Sequence, residues 1–586
     1  MSRRRILRAF LPLLLAAAAT APAAAAATWW RLPIWGADVR VFAADPFQRG
    51  AIFCGTARGN FYGSADSGAS WAPLRQGPAF PGYVVTGLVA DPKKPGRLWA
   101  SLAGQYAGGL VVRSDNRGAD WTILARWKET VATRSLALVP GEPAELAVGG
   151  DDGVRLSRDG GETWARTGSD TPGLVQVESL AFDPVDPRVV YAGTWRQAFR
   201  TRDGGLTWAR IAEGMVLDAS VYSWDFSGSD PRDIWVSTCG WVYRTKDGGD
   251  RWTRFKNGFT NRRSHAVRRD PVRPGVIYAA TVGGLHRSMD GGETWSRISR
   301  ENLVVTALEV DRITGRLYVG TEGEGVFTSD DGGATLNHGS VGLTEGRVSD
   351  LVADPNEPDR LFFFRAYGGE ETGVWEVRGL KVRRVSRDPL PPAASLVVFR
   401  GTAGRTVLVL SSSSGLLFSH DLGERWLPAR NPPAGIPIAL YGAPFPTPIL
   451  VTSAGSFRVT DTEEGLTTIG GPSAPLSAEL LSDAVGGPLL EVHSNEGAAR
   501  WNGQAWSSRR VGILKGGIFL GEGGGGTAGS YSSLQEVGGR LIWEEGGRRL
   551  SVSSPRAGLA LATAAPAPGG RLYVGTTGDG LFLFEP

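Results

Sequence analysis

Short runs of β-branched and aromatic residues alternate along the chain with clusters of Gly, Pro and Asp. In one stretch, Ser179-Leu-Ala-Phe182 leads to the turn Asp183-Pro-Val-Asp-Pro187 and on to Val189-Val-Tyr-Ala192. A Gly193-Thr-Trp-Arg-Gln197 link, Ala198-Phe-Arg-Thr201 and Thr207-Trp-Ala-Arg-Ile211 complete it. Apolar runs of this kind, bounded by turn formers, predict strands joined by tight turns. Four of them, A to D, predict one four-stranded antiparallel unit.

The unit recurs. Between strands C and D stands an octapeptide: Ser157-Arg-Asp159-Gly-Gly161-Glu-Thr163-Trp164, then Thr201–Trp208, Thr245–Trp252 and Ser288–Trp295. Ser64–Trp71 is a further copy, with looser ones at Ser114–Trp121, Ser329–Leu336 and Ser419–Trp426. Its marker glycines at 68, 118, 161, 205, 249, 292 and 333 keep a near-constant period, and the next, 423, lies two periods on. A fixed period of about 40–45 residues containing short strands is the mark of a propeller or related array. The motif's Asp can accept backbone N–H bonds within the C–D turn, its Gly allows positive φ, and its Trp can pack on a neighbouring unit.

This octapeptide resembles the Asp-box, or bacterial neuraminidase repeat, of propellers found in sialidases, sortilin-type receptors, xyloglucanase-like endoglucanases and photosystem II assembly factors. The resemblance covers most of residues 50–430. It implies the fold and is nearly silent on function, because the box builds binders and enzymes alike.

Seven boxes precede Leu336, after which the repeat persists but erodes. Val348–Val385 lacks a box, and only a remnant stands near Asp461-Thr-Glu463. The chain ends in Arg571–Phe584, a copy of strands B and C from Arg316–Phe327 with no strand D after it. Thr28-Trp-Trp-Arg-Leu-Pro33 reads as a strand D with no A–C before it, so the first strand is expected to complete the last blade and cover its edge. The expectation is an all-β chain of two tandem β-propellers, about seven four-stranded blades each. The domains are a leader over 1–27, a first propeller over 28–343 and a second, degenerate one over 344–586. A single ten-bladed ring of the sortilin type is the alternative.

Composition then narrows the picture. Of 586 residues, 82 are Gly and 20 Trp, which the repeat accounts for, while two Cys and five His give no disulfide scaffold and no metal cluster. No cofactor or metal is expected. Met1–Arg8 is basic, Ala9–Ala21 is a short and largely apolar core, and Ala23–Ala27 supplies small residues for cleavage. The segment fits a secretory or a twin-arginine export signal, so the chain is expected to be periplasmic or extracellular, without a stable membrane anchor. The formal charge of +4 resides in its four Arg. The remaining chain is neutral, which gives no support for nucleic-acid binding. Gly521–Gly526 lacks the Lys-Ser/Thr of a phosphate loop. Cys54 and Cys239 fall on or beside B strands of distant blades and are expected to be separate thiols.

In a propeller the boxes and Asp-Pro turns share one face, and the B–C and D–A loops share the other. The B–C loops carry Tyr106 (after Gln105), Asp151 and Asp152, Trp195 and Arg196, Trp241, and Glu322 and Glu324, followed in the next unit by Tyr367, Glu370 and Glu371. The D–A connections are expected to add Tyr222, Trp224, Arg262, Arg263 and His265. Aromatic rings that stack on sugars, beside paired carboxylates, are what glycoside cleavage needs. Asp151, Asp152, Glu322 and Glu324 are the candidate catalytic groups. The plainer reading is a polar rim that binds a protein or polysaccharide partner as a scaffold. A xyloglucanase-like or sialidase-like hydrolase is its rival. Arg31-Leu-Pro33 matches the sialidase Arg-Ile-Pro motif only weakly, and strand D explains it better.

Overall fold

The computed structural model describes residues 28–586 apart from 33, 76–78, 105–106, 129–130, 217–218, 302, 346–347, 366–371, 388–389, 392, 413–414, 431–434, 436, 442–446, 461–465, 471–474, 483–487, 495–496, 503–505, 510–512, 515–516, 519–528, 531, 538–539, 546–547, 556–560 and 577–580. The leader over 1–27, the Asp461–Glu463 remnant, the Gly521–Gly526 loop, Tyr106 with Gln105, and Tyr367, Glu370 and Glu371 lie outside the described residues.

Among the described residues every regular element is a strand, apart from one 3-10 turn at Pro568–Gly570. No helix there is long and apolar enough to cross a membrane. Four-stranded antiparallel sheets follow one another along the chain. Sheets 1 to 7 span 39–73, 83–126, 133–167, 177–210, 221–255, 264–297 and 305–338. Others cover 349–384, 393–428 and 437–470. The unit predicted over 179–211 is sheet 4, with strands Val177–Phe182, Val190–Thr194, Ala198–Thr201 and Ala209–Arg210.

Burial falls from the first two strands of each sheet to the last. The second strands Val190–Thr194, Ile234–Thr238, Ile277–Thr281 and Leu317–Thr321 are buried at every position. The fourth strands Ala72–Pro73 and Ala209–Arg210 are short and exposed. A strand buried on both faces needs a neighbour packed on each, and the clusters show it. Tyr191 of sheet 4 packs with Trp224, Val236 and Tyr243 of sheet 5, and Tyr278 of sheet 6 packs with Val305 and Leu317 of sheet 7.

From sheet 1 through sheet 7 the first strand packs beside the first strand of the next, and Val39–Ala44 of sheet 1 packs beside Val305–Val310 of sheet 7. The Trp71 indole N–H donates to the Gly339 carbonyl at 2.8 Å, and Arg316 Nε donates to the Ser67 carbonyl at 2.8 Å. Sheets stacked face to face with their first strands together are the β-propeller architecture. Thr28–Arg31 pairs antiparallel with Leu581–Glu585, Trp29 opposite Phe584, so the start of the described chain completes its last sheet, as the missing strand D suggested.

The octapeptide is a self-contained turn. Ser157 Oγ donates to Asp159 Oδ1 at 2.7 Å and accepts the Gly161 N–H at 2.8 Å, while the Thr163 N–H donates to Asp159 Oδ1 at 2.9 Å. The copies at Thr201–Thr207 and Ser288–Thr294 repeat the pattern. Hydrogen bonds from the following Thr hold the carboxyls of Asp159, Asp203 and Asp290 down at about 2. These groups staple turns. Cys54 is buried in sheet 1 and Cys239 follows the second strand of sheet 5, with no disulfide between them.

Candidate functional site

The first strand of every one of sheets 1–7 slips register once, at its second residue except in sheet 2, where it slips at the fourth. That residue is unpaired with the second strand: Arg40, Thr86, Arg134, Glu178, Tyr222, His265 and Thr306 in turn. A bulge of this kind re-aims a side chain out of the pleat. The residues before them, Val39, Val85, Thr133, Val177, Val221, Ser264 and Val305, are all buried, whereas the bulge residues are accessible.

The loop between second and third strands is stitched to the same level. Backbone N–H groups of Asp151, Trp195, Cys239, Val282 and Glu322 donate to the carbonyls of Ala132, Gln176, Ser220, Arg263 and Val304, each just before a bulge. Loop side chains and bulge side chains therefore lie at the same end of their sheets.

The best-defined contact there joins sheets 3 and 4. Arg134 Nε donates to Asp151 Oδ1 at 2.7 Å, and Arg134 Nη1 donates to Glu178 Oε1 at 2.9 Å. Asp151 Oδ2 also accepts the Ala132 N–H at 2.9 Å. The nearest oxygens of the two carboxyls can be no further apart than about 8 Å, the two bonds plus the width of a guanidinium. Burial pushes the Glu178 carboxyl above its ordinary range. Arg134 opposes this, and the Asp151 charge adds to it.

Sheets 1, 6 and 7 form a second group. Asp38 accepts from Arg40 Nη2 at 2.6 Å, and its carboxyl is raised by burial, with Glu322 adding to the rise. His265 Nδ1 lies 2.9 Å from the Val305 carbonyl, and burial, then Arg263 and Arg40, pull its pKa down. The imidazole lies edge-on to Tyr222, 6.3 Å between centroids.

The expected residues scatter. Asp151 reaches the junction of sheets 3 and 4, and Glu322 is exposed beside Asp38. Asp152 is held by both terminal nitrogens of Arg155 at 2.7 and 2.5 Å, which lowers its pKa against the pull of burial. Glu324 is 2% exposed and ion-paired with Arg300. Tyr222, Trp224 and His265 were expected in connections and instead lie on first strands. Trp224 faces the core, 8% exposed, donating to Ser179 Oγ at 3.0 Å, because its position in the strand points between sheets. Trp195 is 47% exposed, Arg196 and Arg262 are exposed, and Trp241 is half-buried under Arg254. Arg134 and Glu178 were missed. Aligning the repeats on their first strands would have drawn attention to them, since that column is polar in all seven units.

Among the described residues no group of three His, Cys, Asp or Glu is placed to hold a metal ion. No family model matches the sequence, and no curated protein matches it. Among solved structures, the chain is similar to a GH74 enzyme of Niastella koreensis, with a TM-score of 0.63, 16% identity, and 95% of this chain and 99% of that one covered. It is also similar to the GH74 xyloglucanase of Xanthomonas campestris, with a TM-score of 0.52, 17% identity, and 96% and 100% covered. At such identities the likeness is one of fold, and it extends the β-propeller architecture over nearly the whole chain.

Proposed function

We propose that this chain is an exported glycoside hydrolase acting on a polysaccharide, with Glu178 as general acid and Asp151 as the partnering carboxylate. The observation that carries the reading is the Arg134 guanidinium holding both carboxyls at the junction of sheets 3 and 4, with Glu178 raised by burial and Asp151 accepting from Arg134 and the Ala132 N–H. A carboxyl raised by burial suits the general acid. The spacing of the two carboxyls is compatible with the roughly 5–9.5 Å over which such pairs work. In the reaction Glu178 gives its proton to the glycosidic oxygen as its bond to the anomeric carbon breaks, and water bonds to that carbon through an oxocarbenium-like transition state, its proton passing to the Asp151 carboxylate. The full-length likeness to two GH74 enzymes, one a xyloglucanase, supports the same reaction class.

The reading includes two tandem rings, over 28–343 and 344–586, and export directed by residues 1–27. Closure of sheet 1 on sheet 7 supports the first ring, and the Thr28–Arg31 pairing supports the second. The Asp-box resemblance fits the turn geometry of the octapeptide.

Release of reducing ends from xyloglucan, mixed-linkage glucan, polygalacturonan and sialosides tests the proposal. The mature protein yields product from at least one. Glu178→Gln and Asp151→Asn each lose about 10²-fold or more. Binding without product from any of them would favour the scaffold reading, which the commitment of Asp152 and Glu324 to arginines supports.

A further inference from the structure

Trp241 closes the turn between the second and third strands of sheet 5, opposite Thr238, and its φ is +74°. The equivalent closing residues of the sheets over 133–167, 264–297, 393–428 and 437–470 are Gly153, Gly284, Gly415 and Gly455, all at positive φ. A bulky residue there is strained, and strain persists where something else gains from it. The fold asks for glycine, so the indole is kept for what its ring does.

The surroundings say what that is. The Trp241 N–H donates to the Arg262 carbonyl at 2.5 Å, and the Arg254 guanidinium lies 5.2 Å from the Trp241 ring centre. Arg263 lies 5.7 Å over the Tyr222 ring. Ser220 ties the neighbouring turn in, its hydroxyl donating to the Trp195 carbonyl and its own carbonyl accepting the Cys239 N–H. Arg254, Arg262 and Arg263 make no ion pair with any described residue. One exposed and two part-buried aromatic rings, interleaved with guanidiniums that make no ion pair with a described residue, match a sugar that carries a carboxylate, the ring stacking and the charge meeting the fork.

We infer that Trp195, Tyr222 and Trp241, with Arg254 and Arg262, form a docking platform for an acidic polysaccharide of uronate residues. This rests on the hydrolase reading only for its purpose, because the platform lies on sheets 4–6 beside Glu178. Binding can be read without cleavage.

Native electrophoresis of the mature protein through gels containing polygalacturonan or neutral xyloglucan, at low and raised salt, tests it. Polygalacturonan retards the protein, neutral polymer does so weakly, and salt releases the acidic polymer. Trp195→Ala and Arg262→Ala weaken retardation roughly tenfold. Trp241→Gly weakens it equally while melting above Trp241→Ala, because glycine relieves the strain and alanine keeps it. Equal retardation by neutral polymer overturns the acidic class, and no retardation by either overturns the platform. Trp241→Gly melting below Trp241→Ala shows that the backbone there is not strained and removes the ground for the inference. Retardation without hydrolysis leaves the platform standing and sinks the hydrolase reading alone.

Discussion

Trp71 and Trp164 occupy the same place in two copies of one octapeptide, yet their indoles do different work. Trp164 Nε1 donates to the Gly161 carbonyl of its own turn at 2.9 Å. Trp71, 4% exposed, reaches across to the Gly339 carbonyl beyond sheet 7, and its backbone N–H donates to Val341 at 2.7 Å. Trp71→Phe strands a buried carbonyl, costing about 1–3 kcal/mol. The smaller ring gives up about 1–2 kcal/mol of burial besides. Trp164→Phe loses only a local, partly solvated bond, about 1 kcal/mol. For a body of this size about 2 °C follows each kcal/mol, so Trp71→Phe lowers the melting temperature by about 4–10 °C and Trp164→Phe by about 2 °C. Scanning calorimetry of the two variants reads the difference directly. Equal shifts would refute the idea that sheet 1 is fastened to the chain beyond sheet 7 by this contact.

Other outcomes follow from the same geometry. A Cβ on Gly291 (φ +74°) meets nothing, whereas one on Gly292 (φ +101°) runs into the Trp235 ring. Gly291→Ala therefore costs about 1–2 kcal/mol of backbone strain. Gly292→Ala costs about 1–3 kcal/mol more in denaturant titrations. The octapeptide carboxyls of Asp159, Asp203 and Asp290, held at about 2, contribute stability that is complete above their unfolded value of about 4 and is lost as pH falls toward 2. Asp290→Asn flattens that slope in an acid titration followed by tryptophan fluorescence. With Glu178 as the proposed general acid, the expected outcome is hydrolysis that declines as pH rises through its elevated pKa. Arg134 charge holds that pKa down, so Arg134→Met moves the declining limb to higher pH while lowering the rate. A limb that stays put would separate Glu178 from the reaction.

Much of the fold was readable because its information is local. Asp159 finds its partners within four residues, and Ser179–Ile211 spells out one sheet with its own turns. The pairing of Thr28–Arg31 with Leu581–Glu585 was readable for a related reason: a unit lacking strand D at one end and a lone strand D at the other imply each other. The site was readable only in part. Asp151, Trp195 and Trp241 announced themselves as chemistry-bearing residues in turns, whereas Arg134 and Glu178 stand inside strands and look like ordinary pleat positions. Trp224 failed in the opposite sense, its alternation placing it in the core rather than on the rim.

The sequence by itself determined the repeat, the strand-rich class and the turn chemistry of the octapeptide, since each depends on residues a few positions apart. Tertiary structure alone decided which partner each carboxylate meets. Asp152 and Asp151 are neighbours in the chain, yet one is clamped by its own strand's Arg155 and the other meets Arg134 and Glu178 at a junction of two sheets. That placement is made by register slips, which aim Arg134 and Glu178 across the gap between sheets, and by burial, which raises the Glu178 carboxyl.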